Sequence, residues 1–470
     1  MNNGLKPYDE YKDSKVEWIG KIPSHWHVRR NSILFREIVD TNHPKLELLS
    51  IMCDKGIVRQ RSTGRKVRMS EENQAYKKIC VGDIGYNLMN AFMGGIGASK
   101  YEGIISPAYA VCRPKIKINS WYYHYLFRTP LYKAEFNKNS YGIMYERNRL
   151  YFDRFKRISS IVPPIEEQNQ IVKYLDFQLA KINKFIKAKK KLIATLKEQK
   201  QAIINGAVTK GINPNVKMKS SGVEWLGDIP EHWEILNLSQ IAKVTLSGLD
   251  KKSYDNQKKV FLCNYVDVYK NDYITNNIDF MIATASEDEI RNLSLRSGDI
   301  IITKDSESWD DIAVPAYVPN KLENVVCAYH LALIRKKSNN IISEFLYSAF
   351  LSQYVSVQYK VKAKGVTRYG LSYQSIRDVV IFVPPINEQH EIIKIIKSAI
   401  INIDEAISRT QKEIELITEY RTSLISDVVT GKVDVRNIKI DEAIDEDTKD
   451  YEIEYDEELE NDETLDIEEE

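Results

Sequence analysis

Between Lys55 and Arg68 the chain places six cations, Lys55, Arg59, Arg61, Arg65, Lys66 and Arg68, in fourteen positions without one acidic residue. Such a run suits phosphate contacts, and Gln60, Ser62 and Thr63 lie among the cations where they could reach base edges. A solvated hairpin is the plainer reading of the same pattern. Asn87 and Asn90 follow in GYNLMNAFMGG, and an Asn carboxamide can pair with adenine through two hydrogen bonds. A Gly, an aromatic and a basic residue then recur together, as Gly142, Tyr145 and Arg147 and again as Gly365, Arg368 and Tyr369. Arg147 and Arg368 are 221 residues apart, and their equivalent placement makes them candidates for backbone or base contacts, with a helix-capping loop as the alternative. Lys304, Ser306, Glu307 and Trp309 follow a Gly-Asp-Ile strand, from which a departing loop could enter a major groove; Trp309 serves equally as a packing residue.

Self-contained chemistry finds no support in the motifs. Gly94, Gly95 and Gly97 lack the third glycine of a dinucleotide fingerprint, and neither GASK nor TGKV completes a phosphate loop. Both Pro-Pro pairs run from Val to Ile, unlike the Asn/Asp-Pro-Pro-aromatic motif of amino-methyltransferases. Glu198-Gln199-Lys200 resembles a nuclease Glu-x-Lys but falls on a helical pattern with no acidic strand before it. His25 and His232 recur without a nucleophile or metal-ligand partner at a useful spacing, which favours a structural turn. The five cysteines stand alone at wide spacings, so neither a zinc knuckle nor a disulfide framework is expected.

A chain of 470 residues predicts two to four domains. No window is long and apolar enough for a membrane helix, and the start MNNGLKPYDE has no apolar signal core, so a soluble cytoplasmic protein is expected. The net charge of +1 conceals an asymmetry. Residues 441–470 carry 18 acidic residues against the single basic Lys449, leaving 66 basic and 48 acidic residues in the remainder. A body of +18 is the profile of a polyanion binder, although scattered solvated lysines would give the same figure. The tail, at −17, is expected to be disordered.

The elements that must position these residues are repeated. SKVEWIGKIPSHW from Ser14 recurs as SGVEWLGDIPEHW from Ser221, identical at nine of thirteen positions. VPPIEEQ from Val162 recurs as VPPINEQ from Val383, and QAIINGAVT from Gln201 as TSLISDVVT from Thr422, both 221 residues apart. In each copy, short β-rich runs such as KKICVGDIGYNLM and LRSGDIIITK alternate with Gly and Asn turns, and SWYYHYLFRTPLY and SEFLYSAFLSQYV predict short helices. After each Pro-Pro a heptad stripe begins: Val172, Leu175, Leu179, Ile182, Ile186, Ile193, Leu196 and Ile203, skipping Lys189 and Lys200. The second stripe is Ile393, Ile396, Ile400, Ile403, Ile407, Ile414, Ile417 and Leu424, broken at Thr410 and Arg421. Matching stripes predict two helices packed antiparallel on one another; two helices each buried in its own domain is the competing reading.

The twice-repeated VEW-(I/L)-G-x-IP-x-HW, the Gly-Asp-Ile at Gly82-Asp83-Ile84 and Gly298-Asp299-Ile300, the twice-repeated PPI-x-EQ and a long helix ending near VVTGKVDV together resemble the specificity subunits of type I restriction-modification systems. The resemblance spans residues 14 to about 435. It implies an α+β chain of two mixed target recognition domains in pseudo-twofold arrangement, separated by two long helices forming an antiparallel coiled coil. The expected boundaries are 1–160 and 211–382 for the recognition domains, 161–210 and 383–435 for the spacer helices, and 436–470 for the acidic tail. It also implies double-stranded DNA read in two halves, methyltransferase subunits, two of them, and restriction/translocase subunits as partners, with no membrane. S-adenosylmethionine, ATP and Mg would be used by those partners, and no catalytic group, metal or cofactor is expected on this chain. A methylase-only complex and a coiled-coil interaction scaffold remain open as alternatives. A self-contained DNA enzyme is the reading that the missing motifs oppose.

Overall fold

The structure, a computed structural model, describes residues 5–63, 74–142, 148–222 and 225–440. It divides into two compact units that do not follow chain order: unit 1 joins Met1–Lys190 to Lys412–Glu470, and unit 2 is Lys191–Gln411.

Unit 1 opens with β1 (Tyr11–Asp13) paired to β2 (Lys21–Pro23). Its main sheet holds β3 (Phe35–Ile38), β6 (Ile84–Asn87), β7 (Ile96–Ala98) and β8 (Tyr109–Pro114) in the order β3-β8-β6-β7, every neighbour antiparallel. A hairpin of β4 (Leu49–Met52) and β5 (Gly56–Arg59) lies on this sheet over Gly85, where a Cβ would come within 2.9 Å of the Ile57 and Ile79 side chains. Glycine at the centre of β6 thus lets Leu49, Ile51, Ile57, Ile79, Ile105 and Val111 close a small core. The helices α1 (Ser120–Phe127) and α2 (Pro130–Asn139) follow, with Asn119 and Thr129 accepting from backbone N–H groups at their first turns.

Unit 2 repeats the plan. Its sheet holds β9 (Ala242–Leu246), β12 (Ile300–Thr303), β14 (Pro315–Tyr317) and β15 (Leu331–Lys336) in the order β9-β15-β12-β14, again antiparallel. The covering layer differs. Instead of a hairpin, β10 (Lys258–Cys263) and β11 (Met281–Ala285) join Val325–Cys327 in a three-stranded sheet, and Ile301 fills the place that Gly85 leaves empty. A two-residue pair, β13 (Asp305–Ser306) with β16 (Tyr369–Gly370), sits beyond the main sheet. α4 (Ser343–Phe350) and α5 (Gln353–Lys362) correspond to α1 and α2.

Two long helices, α3 (Ile165–Lys210) and α6 (Ile386–Val429), contribute to both units. In unit 1, Gln170 reaches the Val435 and Ile438 carbonyls while Lys189 pairs with Glu413 at 2.5 Å, so the two chains run in opposite senses. In unit 2, Gly211 lies against Glu388 and Lys200 pairs with Asp404 at 2.8 Å, with the same result. The two lysines that interrupt the stripe therefore lay their stems along the seam and put their ammonium groups on carboxylates of the other helix. Val172, Leu175, Leu179, Ile182, Ile186, Ile393, Ile396, Ile403, Ile414 and Leu424 are buried as the stripe predicts. At the end of α3 the buried residue is Ile204 rather than Ile203, because the last turns leave the seam and enter the core of unit 2 with Ala207 and Val208.

The repeated motifs are joints. His25 Nε2 meets Glu167 Oε2 at 2.8 Å, and His232 Nε2 meets Glu388 Oε2 at 2.8 Å, so the His-Trp of each opening motif is tied to the Glu of a PPI-x-EQ. The adjacent Gln168 and Gln389 donate to the Pro163 and Pro384 carbonyls and accept from the Asn119 and Ile342 amides, fixing the starts of α1 and α4. The Gly-Asp-Ile motif is a staple: Asp83 is buried and receives Arg113 Nε and Nη2 at 2.9 and 2.8 Å, and Asp299 receives Arg335 Nε and Nη2 at 2.7 and 2.6 Å. The preceding Gly82 and Gly298 have φ of +85° and +88°, a left-handed turn that suits glycine. The two-pronged arginine geometry locks the entry of the central strand to its neighbour.

Candidate nucleic-acid interface

The end of that central strand is where three loops converge, in the same way in each unit. In unit 1, Leu88 N–H donates to Ala108 O at 3.5 Å and Leu88 O accepts from Leu150 N–H at 2.8 Å, while Tyr141 and Arg149 exchange two backbone bonds that close the segment between them. In unit 2, Lys304 N–H donates to His330 O at 2.9 Å, Lys304 O accepts from Leu371 N–H at 2.8 Å, and Lys364 and Gly370 exchange the two closing bonds. One backbone position, Leu88 or Lys304, thus ties the loop after the Gly-Asp-Ile strand to two others.

In unit 1 the first loop carries Asn87 and Asn90. Asn87 Oδ1 accepts from Met89 N–H at 3.0 Å, so its acceptor atom already serves a turn, whereas Asn90 makes no side-chain cap bond to the short helix that it precedes. Tyr145 and Arg147, between Tyr141 and Arg149 in sequence, lie outside the described residues, as do Arg65, Lys66 and Arg68. Arg59 and Arg61 are described, and they are elsewhere: both face Glu47, at 3.4 and 3.2 Å, and Arg59 stacks over Tyr101 with 4.7 Å to the ring centroid. They stand at the far end of β5 from the Cys53–Gly56 turn, which approaches the Asn90 loop at Gly94. Ser62 and Thr63 donate to the Arg59 and Gln60 carbonyls, and Ser50 to the Gln60 side-chain oxygen, so each makes a local bond.

Unit 2 brings more of the expected residues together. Ser306 pairs with Tyr369 across β13 and β16, and Lys304 and Arg368 flank that pair, Arg368 exposed. Asp305 accepts from Lys304 Nζ and is bonded to His330 Nδ1. Burial acts to raise the Asp305 carboxyl pKa, but the hydrogen bonds from Lys304 and His330 prevail and hold it below the ordinary value. Tyr269 OH donates to Asp311 at 2.7 Å, and Tyr265 stacks on Tyr269, which steadies the far end of the same loop. Trp309 is 54% exposed and so is not a core residue.

No local signal in the sequence marks Arg128 and Lys133. Arg128 Nη2 donates to Cys53 O at 3.1 Å and to Asp54 O, holding the hairpin turn against the Gly94 loop, and Lys133 lies across that glycine. The carbonyls that Arg128 holds lie 75 and 74 residues away from it in the chain, so no local window joins them. His330 was likewise silent; it has φ of +69° and acts through Asp305. Among the described residues no group of three His, Cys, Asp or Glu could hold a metal ion, and no helix is long and apolar enough to cross a membrane.

Two antiparallel sheets presenting the same loop convergence, each joined to both long helices, define a duplicated recognition protein. The model of the type I restriction modification DNA specificity domain matches twice, at residues 61–197 and 230–416, and the chain belongs to that family. Over 460 residues it is 24% identical to the specificity subunit assigned to type I restriction enzyme MjaX of Methanocaldococcus jannaschii, covering 92% of this chain and 99% of that one. It is 23% identical to the EcoKI specificity subunit of Escherichia coli over 69% of this chain and 68% of that protein. A solved chain bearing on complex assembly and conformational transition of the type I R-M system superposes with a TM-score of 0.64 at 12% identity, covering 87% of this chain and 98% of its own, which establishes the shared fold.

Proposed function

We propose that the chain reads a bipartite duplex DNA target, one half with each unit, and positions two adenine-N6 methyltransferase subunits and the restriction/translocase subunits on it. In this reading the partners carry the chemistry, with S-adenosylmethionine, ATP and Mg bound to them, and the chain works in the cytoplasm as a non-catalytic member. The observation that carries the reading is the repeated convergence of three loops on Leu88 and on Lys304, since two half-sites require two readers of one design. The family membership supports it. The test is the methylome of cells carrying this chain with its methyltransferase partner. A methylated motif of two short blocks around a fixed gap is expected; methylation at a single uninterrupted block, or none, would overturn the proposal.

A further inference from the structure

We propose that Asn90 reads an adenine in the half-site of unit 1, with Met89 and Met93 beside it contacting thymine methyl groups, an inference that rests on the DNA-reading role proposed above. The backbone of Asn90 is fixed from both sides. Its N–H donates to Asn87 O at 3.2 Å, and its carbonyl accepts from Met93 N–H at 3.0 Å and from Gly95 N–H at 2.9 Å. Gly95 packs directly against it, where a Cβ would lie 3.2 Å from Asn90 Cβ and 3.0 Å from Asn90 O. With the backbone so held, the carboxamide keeps its full bonding capacity, because among the described residues no hydrogen bond reaches it. Met89 and Met93 are 38% and 55% exposed, and no charged residue stands between Leu88 and Gly95.

The chemistry of this tip selects one base pair. A carboxamide offers a donor and an acceptor side by side, and in the major groove adenine presents the complementary N7 acceptor and N6 donor on one base. Guanine offers two acceptors there and cytosine one donor, so neither satisfies both halves of the amide. Thymine, the partner of adenine, brings a methyl group, and flexible apolar thioether side chains suit that contact. Asn87 is the weaker candidate, since its side-chain oxygen also accepts from Met89 N–H. Unit 2 has no asparagine between Lys304 and Ala313, so the inference concerns one half-site alone.

The experiment uses the full chain in complex with its methyltransferase subunits and duplexes carrying the methylated motif. The half-site of unit 1 is the one that changes when residues 30–155 are exchanged for those of a relative. Within it, each adenine other than the methylated one is replaced in turn by 7-deazaadenine, which lacks the N7 acceptor, and each thymine by uracil, which lacks the methyl group. At one adenine the wild-type complex should bind roughly 5- to 10-fold more weakly, the lower end for a two-bond contact that loses one bond. Asn90→Ala should bind that duplex and the natural one equally, with an unchanged melting temperature and unchanged discrimination in the other half-site. Asn90→Asp, of the same shape, should also lose the preference for adenine, because a carboxylate only accepts and would face N7. Replacing both methionines, Met89→Ala with Met93→Ala, should remove the penalty for uracil next to that adenine. A half-site without a further A·T pair, or 7-deazaadenine penalties that all persist in Asn90→Ala, overturns the inference and leaves the DNA-reading role standing. A uracil penalty that survives the loss of both methionines overturns their part in it. A wild-type complex that binds no duplex removes that role and the inference together.

Discussion

The two units share a sheet order, a pinning aspartate and a three-loop convergence, yet they fill the first loop with opposite chemistry. From Leu88 to Gly95 unit 1 is uncharged and is approached by Arg128 and Lys133 from another element. From Lys304 to Asp311 unit 2 carries Asp305, Glu307, Asp310 and Asp311 against Lys304 alone, and Lys304 and His330 engage Asp305. A frame that tolerates either loop separates the job of holding the loops from the job of reading with them. The frame is built from buried bonds that recur, and the loop tips are free to differ.

The largest expected effect follows from that separation. Replacing residues 30–155 with the matching segment of a relative should replace the first half-site of the methylated motif and leave the second unchanged; sequencing the motif decides, and a change in both halves would break the two-reader comparison. Next in size is the aspartate staple. Asp83→Asn and Asp299→Asn each leave an arginine facing a neutral amide; the carboxylates are buried but the arginines are partly exposed, so the loss should fall below the ~3–5 kcal/mol of a fully buried pair. Limited proteolysis should show unit 1 opening in the first variant and unit 2 in the second. Opening of the same unit in both would mean that the staples are not equivalent.

A smaller effect separates the units by pH. His124 in α1 is buried, with Nδ1 accepting from Ala98 N–H at 3.3 Å, and burial holds its pKa well below the ordinary value. The folded form therefore keeps it neutral while the unfolded chain takes up a proton, so unit 1 should lose stability as pH falls below ~6.5. At the corresponding place unit 2 has Tyr347, whose OH donates to Asp272 O at 3.0 Å and does not titrate in that range. Hydrogen exchange between pH 7 and 5 should show the loss in unit 1, and His124→Gln should flatten it; equal acid sensitivity in the wild-type chain and the variant would assign the effect to other groups. The smallest effect concerns the acidic tail, which follows the Val435 and Ile438 carbonyls held by Gln170 of unit 1. Deleting residues 441–470 should strengthen binding to scrambled duplex modestly at low salt, with the gain fading near 0.15 M, where the screening length is ~8 Å. An unchanged low-salt affinity would leave the tail without influence on DNA.

Elements whose signal is local were legible in the sequence. Heptad spacing marks α3 and α6 because each turn reports on the same seam, and even the interrupting Lys189 and Lys200 fall where the other helix offers Glu413 and Asp404. The repeated Gly-Asp-Ile was visible, but its meaning was not, since Arg113 and Arg335 lie 30 and 36 residues downstream. The acid-free run from Lys55 hid the pairing of Arg59 and Arg61, because Glu47 stands just outside it. Asn87 carries the right side chain for adenine, and its own turn also engages the amide oxygen through Met89 N–H. Side-chain type announces what a residue can do, whereas the choice between turn, ion pair and ligand is made by neighbours that the fold brings from far away.

The discontinuous make-up of unit 1 has a consequence for how the protein is born. Tyr122 OH donates to Val429 O, Gln170 to Val435 O, and Asp434 N–H to Lys6 O, so the amino-terminal part of unit 1 waits for residues that leave the ribosome only after all of unit 2. Unit 2 is contiguous and emerges whole before them. At ~5–20 residues per second, the 221 residues of unit 2 impose a delay on the order of ten to forty seconds. During that interval the strands of unit 1 and the apolar stripe of α3 stand without their final partner, which makes the nascent first half the stretch of this polypeptide most in need of a chaperone.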